Sequence, residues 1–178
     1  LAVLAVLGMF FWFSVVDIET QLGDWENYLR FGDYWGSTRG YAWRRLWEIY
    51  QEFSVQDKLF GSGMDTVGNL LVPRYYTEMI NRFGLYFENA HNEYLQYLVT
   101  TGLLGVTAYL IMIGSGVVRT LKNGMRNPAM LAVGFAVLCY AVQGFVNISQ
   151  TMTTPLFFVM IGLAESFNRR IKRERRMM

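Results

Sequence analysis

Apolar and polar positions alternate along this chain in long blocks. An uninterrupted apolar run, LAVLAVLGMFFWFSVV, covers positions 1–16, and three more follow at Leu95 to Val118, Ala129 to Val146 and Ile148 to Phe167. A helix rises about 1.5 Å per residue and needs roughly 20 residues to cross the hydrocarbon of a bilayer. The second and third runs meet that requirement when tilted. The fourth is interrupted by Pro155 and carries Glu165, for which the near neighbour Arg169 offers local pairing at a helix end. The first is too short for a whole span and is predicted to be the later part of a longer helix. It lacks the basic n-region and small-residue cleavage site of a signal peptide before Asp17. The expected fold class is therefore all-α and integral to a membrane, with about four transmembrane helices, the first truncated, in the C-terminal module of a larger polytopic protein.

Between the first two runs lies a polar stretch, positions 17–94, too long for a simple connector. Within it, YAWRRLWEIYQEF places Trp43, Leu46, Trp47, Tyr50 and Phe53 at helical spacing, which predicts an amphipathic helix from Tyr41 to Phe53. Its aromatic stripe suits a membrane interface or a platform for sugar rings. A second helix is predicted from Pro73, a favourable first helical position, to Gly84, a favourable C-cap. Tyr76, Met79, Ile80 and Phe83 would form its apolar stripe, with Arg74, Glu78 and Arg82 supporting one another at i, i+4 and i+8. Between the helices, Gly61-Ser62-Gly63 breaks the chain and offers backbone N–H groups suited to phosphate.

Charge orients this arrangement. Only 17% of residues are charged, against roughly 25% in a soluble domain, while 53% are hydrophobic. From Asp17 to Glu93 there are 12 acidic and 7 basic residues, and the remainder holds 9 basic and 2 acidic. The basic excess sits in the connector RTLKNGMRN, with Arg119, Lys122 and Arg126, and in the tail at 168–178. Basic residues flanking apolar runs mark the cytoplasmic side, so both segments are predicted cytoplasmic and the 17–94 loop external. The same placement argues against nucleic acid as a partner. Glycines 102, 105, 114 and 116 are expected to permit close helix packing, and Cys139, the single cysteine, cannot form an internal disulfide.

His91, the only histidine, stands where the loop turns into the second run. An imidazole titrates near pH ~6.5 and suits general acid–base work, and a boundary histidine also serves as an interfacial hydrogen-bonder. No second His or Cys accompanies it in a zinc-like spacing. The spans at 95–118 and 129–146 carry no charge, and polar residues collect in the loop. A transporter would bury polar groups near the bilayer midplane, so the pattern favours surface chemistry over transport, with a non-enzymatic transporter or an envelope scaffold whose loop rests on the membrane as the alternative.

Three segments together resemble the bacterial O-antigen ligase and Wzy polymerase superfamily. His91-Asn92, nine residues, then Gly102-Leu103-Leu104-Gly105 looks like the H-[NSQ]-x9-G-x-x-[GTY] pattern of the ligases. Arg39-Gly-Tyr-Ala-Trp43 resembles the R-x-x-x-W element, and LFGSG the P-L-x-G-x-G element, with Lys58 where the family has proline. Anchoring on Trp47 instead places Arg44 or Arg45 at the arginine position. The resemblance spans nearly the whole chain. It implies metal-independent, cofactor-free transfer of glycan from an undecaprenyl diphosphate carrier to a lipid or glycan acceptor hydroxyl, on the outer face of the bacterial cytoplasmic membrane. His91 and Arg39 would be catalytic, and Arg44, Arg45, Arg74, Arg82, Asn92, Gly61 and Gly63 would serve substrate binding. Ligase, polymerase and protein-glycosylating activities all remain open under it.

Overall fold

The computed structural model describes residues 2–124 and 127–177, and the side chains of these except at 2–6 and 175. Leu1, Arg126 and Met178, each part of a segment assigned above, lie outside the described residues. All regular structure among the described residues is helical: α1 (Ala2–Phe11), α2 (Glu26–Leu29), α3 (Trp35–Glu52), α4 (Val55–Phe60), α5 (Val67–Phe83), α6 (Glu93–Asn123), α7 (Pro128–Gln143) and α8 (Thr153–Met177). The chain divides into two compact units. One holds 1–53 with 65–90, and the other holds 54–64 with 91–178.

In the first unit α1 runs on into a wider turn, Trp12–Val16. A helix end leaves carbonyls without N–H partners, and Arg30 answers that need: it donates from Nε to the Phe13 carbonyl at 3.1 Å and from Nη2 to the Asp17 carbonyl at 3.2 Å. The core is made by α3, α5 and the segment after them, through buried Tyr41, Leu46, Ile49, Val67, Leu71, Met79 and Phe87. This corrects the predicted aromatic stripe of α3. Leu46 is buried as expected, but Tyr41 and Ile49 take the inward positions, while Trp47 is 49% exposed and stacks on Tyr50 at 5.7 Å. Leu46 and Ile49 have no polar atom to desolvate, whereas the amphipathic indole of Trp47 is left at the rim.

The start of α5 also differs. It begins at Val67, six residues before Pro73, because Val67 and Leu71 belong to the core and their burial carries the helix through the proline. Its end matches: Gly84 is left-handed, with φ of 69°, and its N–H donates to the Ile80 carbonyl.

The second unit is a bundle of α6, α7 and α8 with α4 laid against α6. Tyr109, Ile113, Val137 and Phe157 form its centre, with Tyr97 stacked on Tyr109 at 4.3 Å and Tyr140 on Phe157 at 4.1 Å. Among the described residues one helix, Glu93–Asn123, is long and apolar enough to cross a membrane, and Leu7–Val16 and Pro128–Gln143 are shorter apolar helices. Leu110, Ile111, Phe135, Val142, Leu156 and Val159 all face outward. The fourth apolar run becomes helical only from Thr153, two residues before Pro155, and then continues through the basic tail. Glu165 pairs with Arg169 at 2.8 Å and with Arg119, joining α8 to α6. Of the four glycines expected to pack helices, Gly102 and Gly105 make close approaches, whereas nothing lies within 4 Å of a Cβ at Gly114 or Gly116. Gly134 of α7 does that work instead, against Thr120 of α6.

Candidate functional site

Arg39 follows an unusual turn. Gly36, Ser37 and Thr38 all have positive φ, of 59°, 59° and 71°, and the regular helix starts after them. Only glycine enters this region without strain, so Ser37 and Thr38 together hold backbone that costs about 1–3 kcal/mol each. Gly40 then passes so close to the Gly32 carbonyl that no Cβ fits. The result presents Arg39 at the beginning of α3, half-buried, donating from Nη1 to the Gly36 carbonyl at 2.9 Å. Its Nε is buried with no hydrogen-bond partner, and among the described residues it has no carboxylate partner.

The other loop arginines meet carboxylates, although Arg45, like Arg39, has a buried Nε without a hydrogen-bond partner. Arg44 and Arg82 share Asp33, the latter at 2.7 Å. Arg45 meets Glu48 at 2.8 Å and Glu78 at 3.0 Å, and its guanidinium lies 4.9 Å from the Tyr75 ring centroid. Arg82 also meets Glu78 at 3.1 Å. The predicted ladder on α5 therefore holds for Glu78 and Arg82, whereas Arg74 turns to Glu52 of α3 at 2.5 Å. The hydrogen bond to Glu48 raises the Arg45 pKa, against the opposing effect of burial. Burial resists ionisation of Glu78, but hydrogen bonds from Arg45 and Arg82 outweigh it and hold that carboxyl below its ordinary range. Arg82 is raised chiefly by its hydrogen bond to Asp33. Burial pushes the Tyr41 hydroxyl up.

His91 belongs to the second unit and also has a left-handed backbone, φ 48°. Asn92 after it is the N-cap of α6: its side-chain oxygen accepts from the Leu95 N–H at 3.0 Å. Its buried amide therefore orients the helix start. Glu93 comes next, 2% exposed, accepting from Ser149 at 2.7 Å, Tyr109 at 3.0 Å and Tyr140 at 3.4 Å, while its own N–H donates to the Gly144 carbonyl at 2.7 Å. A buried carboxylate needs such donors. Sequence reasoning passed over Glu93 because it reads as one more acid at a loop end. Its signal was a charge in the first turn of a span whose later sequence supplies hydroxyls.

The glycine elements have a different role from the one expected. Gly102 breaks α6 at φ 69°, ψ −173°, which frees carbonyls one turn earlier. Ser62 and Gly63 donate their N–H groups to Val99 and Thr100 at 2.9 and 3.0 Å, and Gly61 donates to Asp57 at 2.7 Å. A Cβ on Gly61 would strike the Thr100–Thr101 backbone, and one on Gly102 the Leu59–Phe60 backbone. These amides are thus taken up within the protein, and the phosphate cradle expected of Gly61 and Gly63 is replaced by a backbone lock between two motif segments. Gly105 completes the segment, its Cα pressed against the Thr101 side chain.

Residues 1–110 match the family model described as O-antigen ligase. No curated protein and no solved structure matches the chain. The matched span holds Arg39, the GSG lock and the His91-to-Gly105 segment, and it covers more than half of the 178 residues, so the chain belongs to the O-antigen ligase family, whose activity is ligase- or polymerase-type glycan transfer in a membrane.

Proposed function

We propose that this protein transfers glycan from an undecaprenyl diphosphate-linked donor to an acceptor hydroxyl at the outer face of the bacterial cytoplasmic membrane. In this reading α1, α6, α7 and α8 cross the membrane, the 17–94 loop is external, and the basic connector and tail are cytoplasmic. The outward apolar side chains of the bundle support it, since lipid satisfies a surface that water would not.

One observation carries the chemistry: Arg39 is a half-buried guanidinium held in place by a strained turn, without a carboxylate to neutralise it among the described residues. A departing lipid diphosphate leaves negative charge that such a fork meets bidentately. Arg44, Arg45, Arg74 and Arg82 are already paired, and their part is to hold the loop in shape. His91 takes the proton of the acceptor hydroxyl as that oxygen attacks the anomeric carbon. The C–O bond to the diphosphate breaks with inversion, and the electron pair leaves with the carrier. No metal or other cofactor enters this scheme.

The decisive measurement is turnover of purified lipid-linked glycan by reconstituted full-length protein, with and without EDTA. General acid–base catalysis contributes roughly 10²- to 10⁴-fold, so His91→Gln, which keeps a polar side chain that cannot accept the proton, should remove detectable transfer while the protein still inserts. Near-normal turnover by the variant would exclude His91 as the base. Sensitivity of the unmodified protein to EDTA would contradict the metal-free scheme.

A further inference from the structure

The first unit contains a cavity of about 590 Å³, within the range of roughly 300–1,000 Å³ usual for small-molecule sites. It lies between the N-terminal half of α5 and the segment that follows it, and none of the loop arginines lines it. Its wall is aromatic on one side: Tyr76 and Tyr86 stand with ring centroids 6.0 Å apart at 49°, each about half exposed. The rest is rich in acceptors. Asp65 and Glu88 both line it, and neither has an ion pair among the described residues. The other acids from Glu48 to Glu78 that meet arginines do so away from this cavity. Asn69 and Asn89 contribute amides. Pro73, also in the wall, brings no N–H donor to it.

This set of groups selects a class of ligand. Uncompensated carboxylates repel a phosphate or a uronate, and tyrosine faces without a neighbouring cation have no claim on one. A neutral sugar satisfies both halves of the wall: its C–H faces pack on the rings, and its hydroxyls donate to amide oxygens and, in charge-assisted hydrogen bonds, to carboxylate oxygens. We propose that this cavity is a subsite for neutral, hydroxyl-rich sugar residues of a glycan, separate in chemistry from the guanidinium that meets the diphosphate. Its place in catalysis rests on the transfer reading above, but its ability to hold sugar does not.

The two are separated by measuring binding without transfer. Full-length protein in nanodiscs would be titrated calorimetrically with maltotriose, mannotriose and chitotriose, with sodium pyrophosphate as the anionic probe. At least one trisaccharide should bind saturably. Glu88→Gln should weaken it about tenfold, the loss expected for a hydrogen bond to a charged group, Tyr86→Ala should weaken it measurably by removing a ring face, and both, at exposed positions, should leave pyrophosphate binding unchanged. Tyr76→Ala gives a second aromatic reading should Tyr86→Ala reduce the yield of folded protein. Absence of saturable binding by all three trisaccharides, or equal binding by the variants, overturns the proposal. Tyr86-dependent sugar binding by a protein that transfers nothing would leave the subsite standing and remove the transfer reading instead.

Discussion

The segment around Arg39 and the segment from His91 to Gly105 both lie in the stretch that matches the family, and they are held in different proportions by side chains and by backbone. Around Arg39, beyond the one tight backbone approach of Gly40 to the Gly32 carbonyl, the fixing groups are charged side chains: Asp33, Glu48, Glu52 and Glu78 take up Arg44, Arg45, Arg74 and Arg82 through bonds that long side chains can re-form in other ways. In the other segment the fixing group is backbone, with Ser62 and Gly63 bonded to Val99 and Thr100, and with glycine Cα atoms against bare peptide. Side-chain fixing degrades gradually, because exposed pairs are individually worth about 0–1 kcal/mol. Backbone fixing leaves no slack. A methyl group at the wrong place must move a whole helix.

The largest effect should therefore come from Gly102→Ala. It places a Cβ into the Leu59–Phe60 backbone and forces alanine to φ 69°, with about 1–3 kcal/mol of conformational strain added to the clash. The expected outcome is loss of folded protein in the membrane fraction, read by detergent-solubilised yield and thermal denaturation. Gly114→Ala, where nothing lies within 4 Å, is the matched control and should behave as the unmodified chain. If both variants accumulate and melt alike, the lock contributes nothing and the contrast between the segments disappears.

Next in size is Arg39→Lys, because lysine is a point charge and cannot reproduce a two-pronged guanidinium contact. Transfer should fall about 10- to 100-fold, the range for a lost charge-assisted hydrogen bond or two, with membrane abundance unchanged. Arg74→Lys, whose partner Glu52 is exposed, should change it less than about twofold. Greater sensitivity at Arg44 or Arg45 would shift the diphosphate contact to the alignment anchored on Trp47 and would sharpen which part of α3 faces the substrate.

How much of this was legible in the sequence follows from the same contrast. The helices α6 and α7 and the Gly84 cap were readable because apolar length and the freedom of glycine to take positive φ are local properties. The start of α5 was not, since Pro73 is a good first helical residue in isolation and only the burial of Val67 and Leu71 extends the helix past it. The turn at Gly36, Ser37 and Thr38 gave no signal, because serine and threonine rarely adopt positive φ and here do so under tertiary constraint. The GSG amides looked available to phosphate only while their partners, carbonyls released by Gly102 about forty residues later, were out of view. Glu93 was hidden in the same way, since its hydroxyl donors lie 16 to 56 residues along the chain.

The smallest expected effect tests whether the arginine network is electrostatic in substance. Glu78 faces Arg45 and Arg82, with the Tyr41 hydroxyl beside them, and its carboxyl is held below the ordinary range by those hydrogen bonds in spite of burial. A carboxyl lowered in the folded state binds protons less readily there than in the unfolded chain, so it adds stability above its ordinary titration range. That contribution is lost as pH falls through the lowered folded value. The unmodified protein should therefore melt slightly above Glu78→Gln near pH 7, by a margin within about 1 kcal/mol for groups this exposed. The gap should narrow on acidification and close once both carboxyl states are protonated. Thermal denaturation of the two proteins from pH 7 to pH ~3 reads this directly. A gap that stays constant would mean that Glu78 acts through shape alone, and that the loop is held by packing around Tyr41 and Phe87 instead of by its charges.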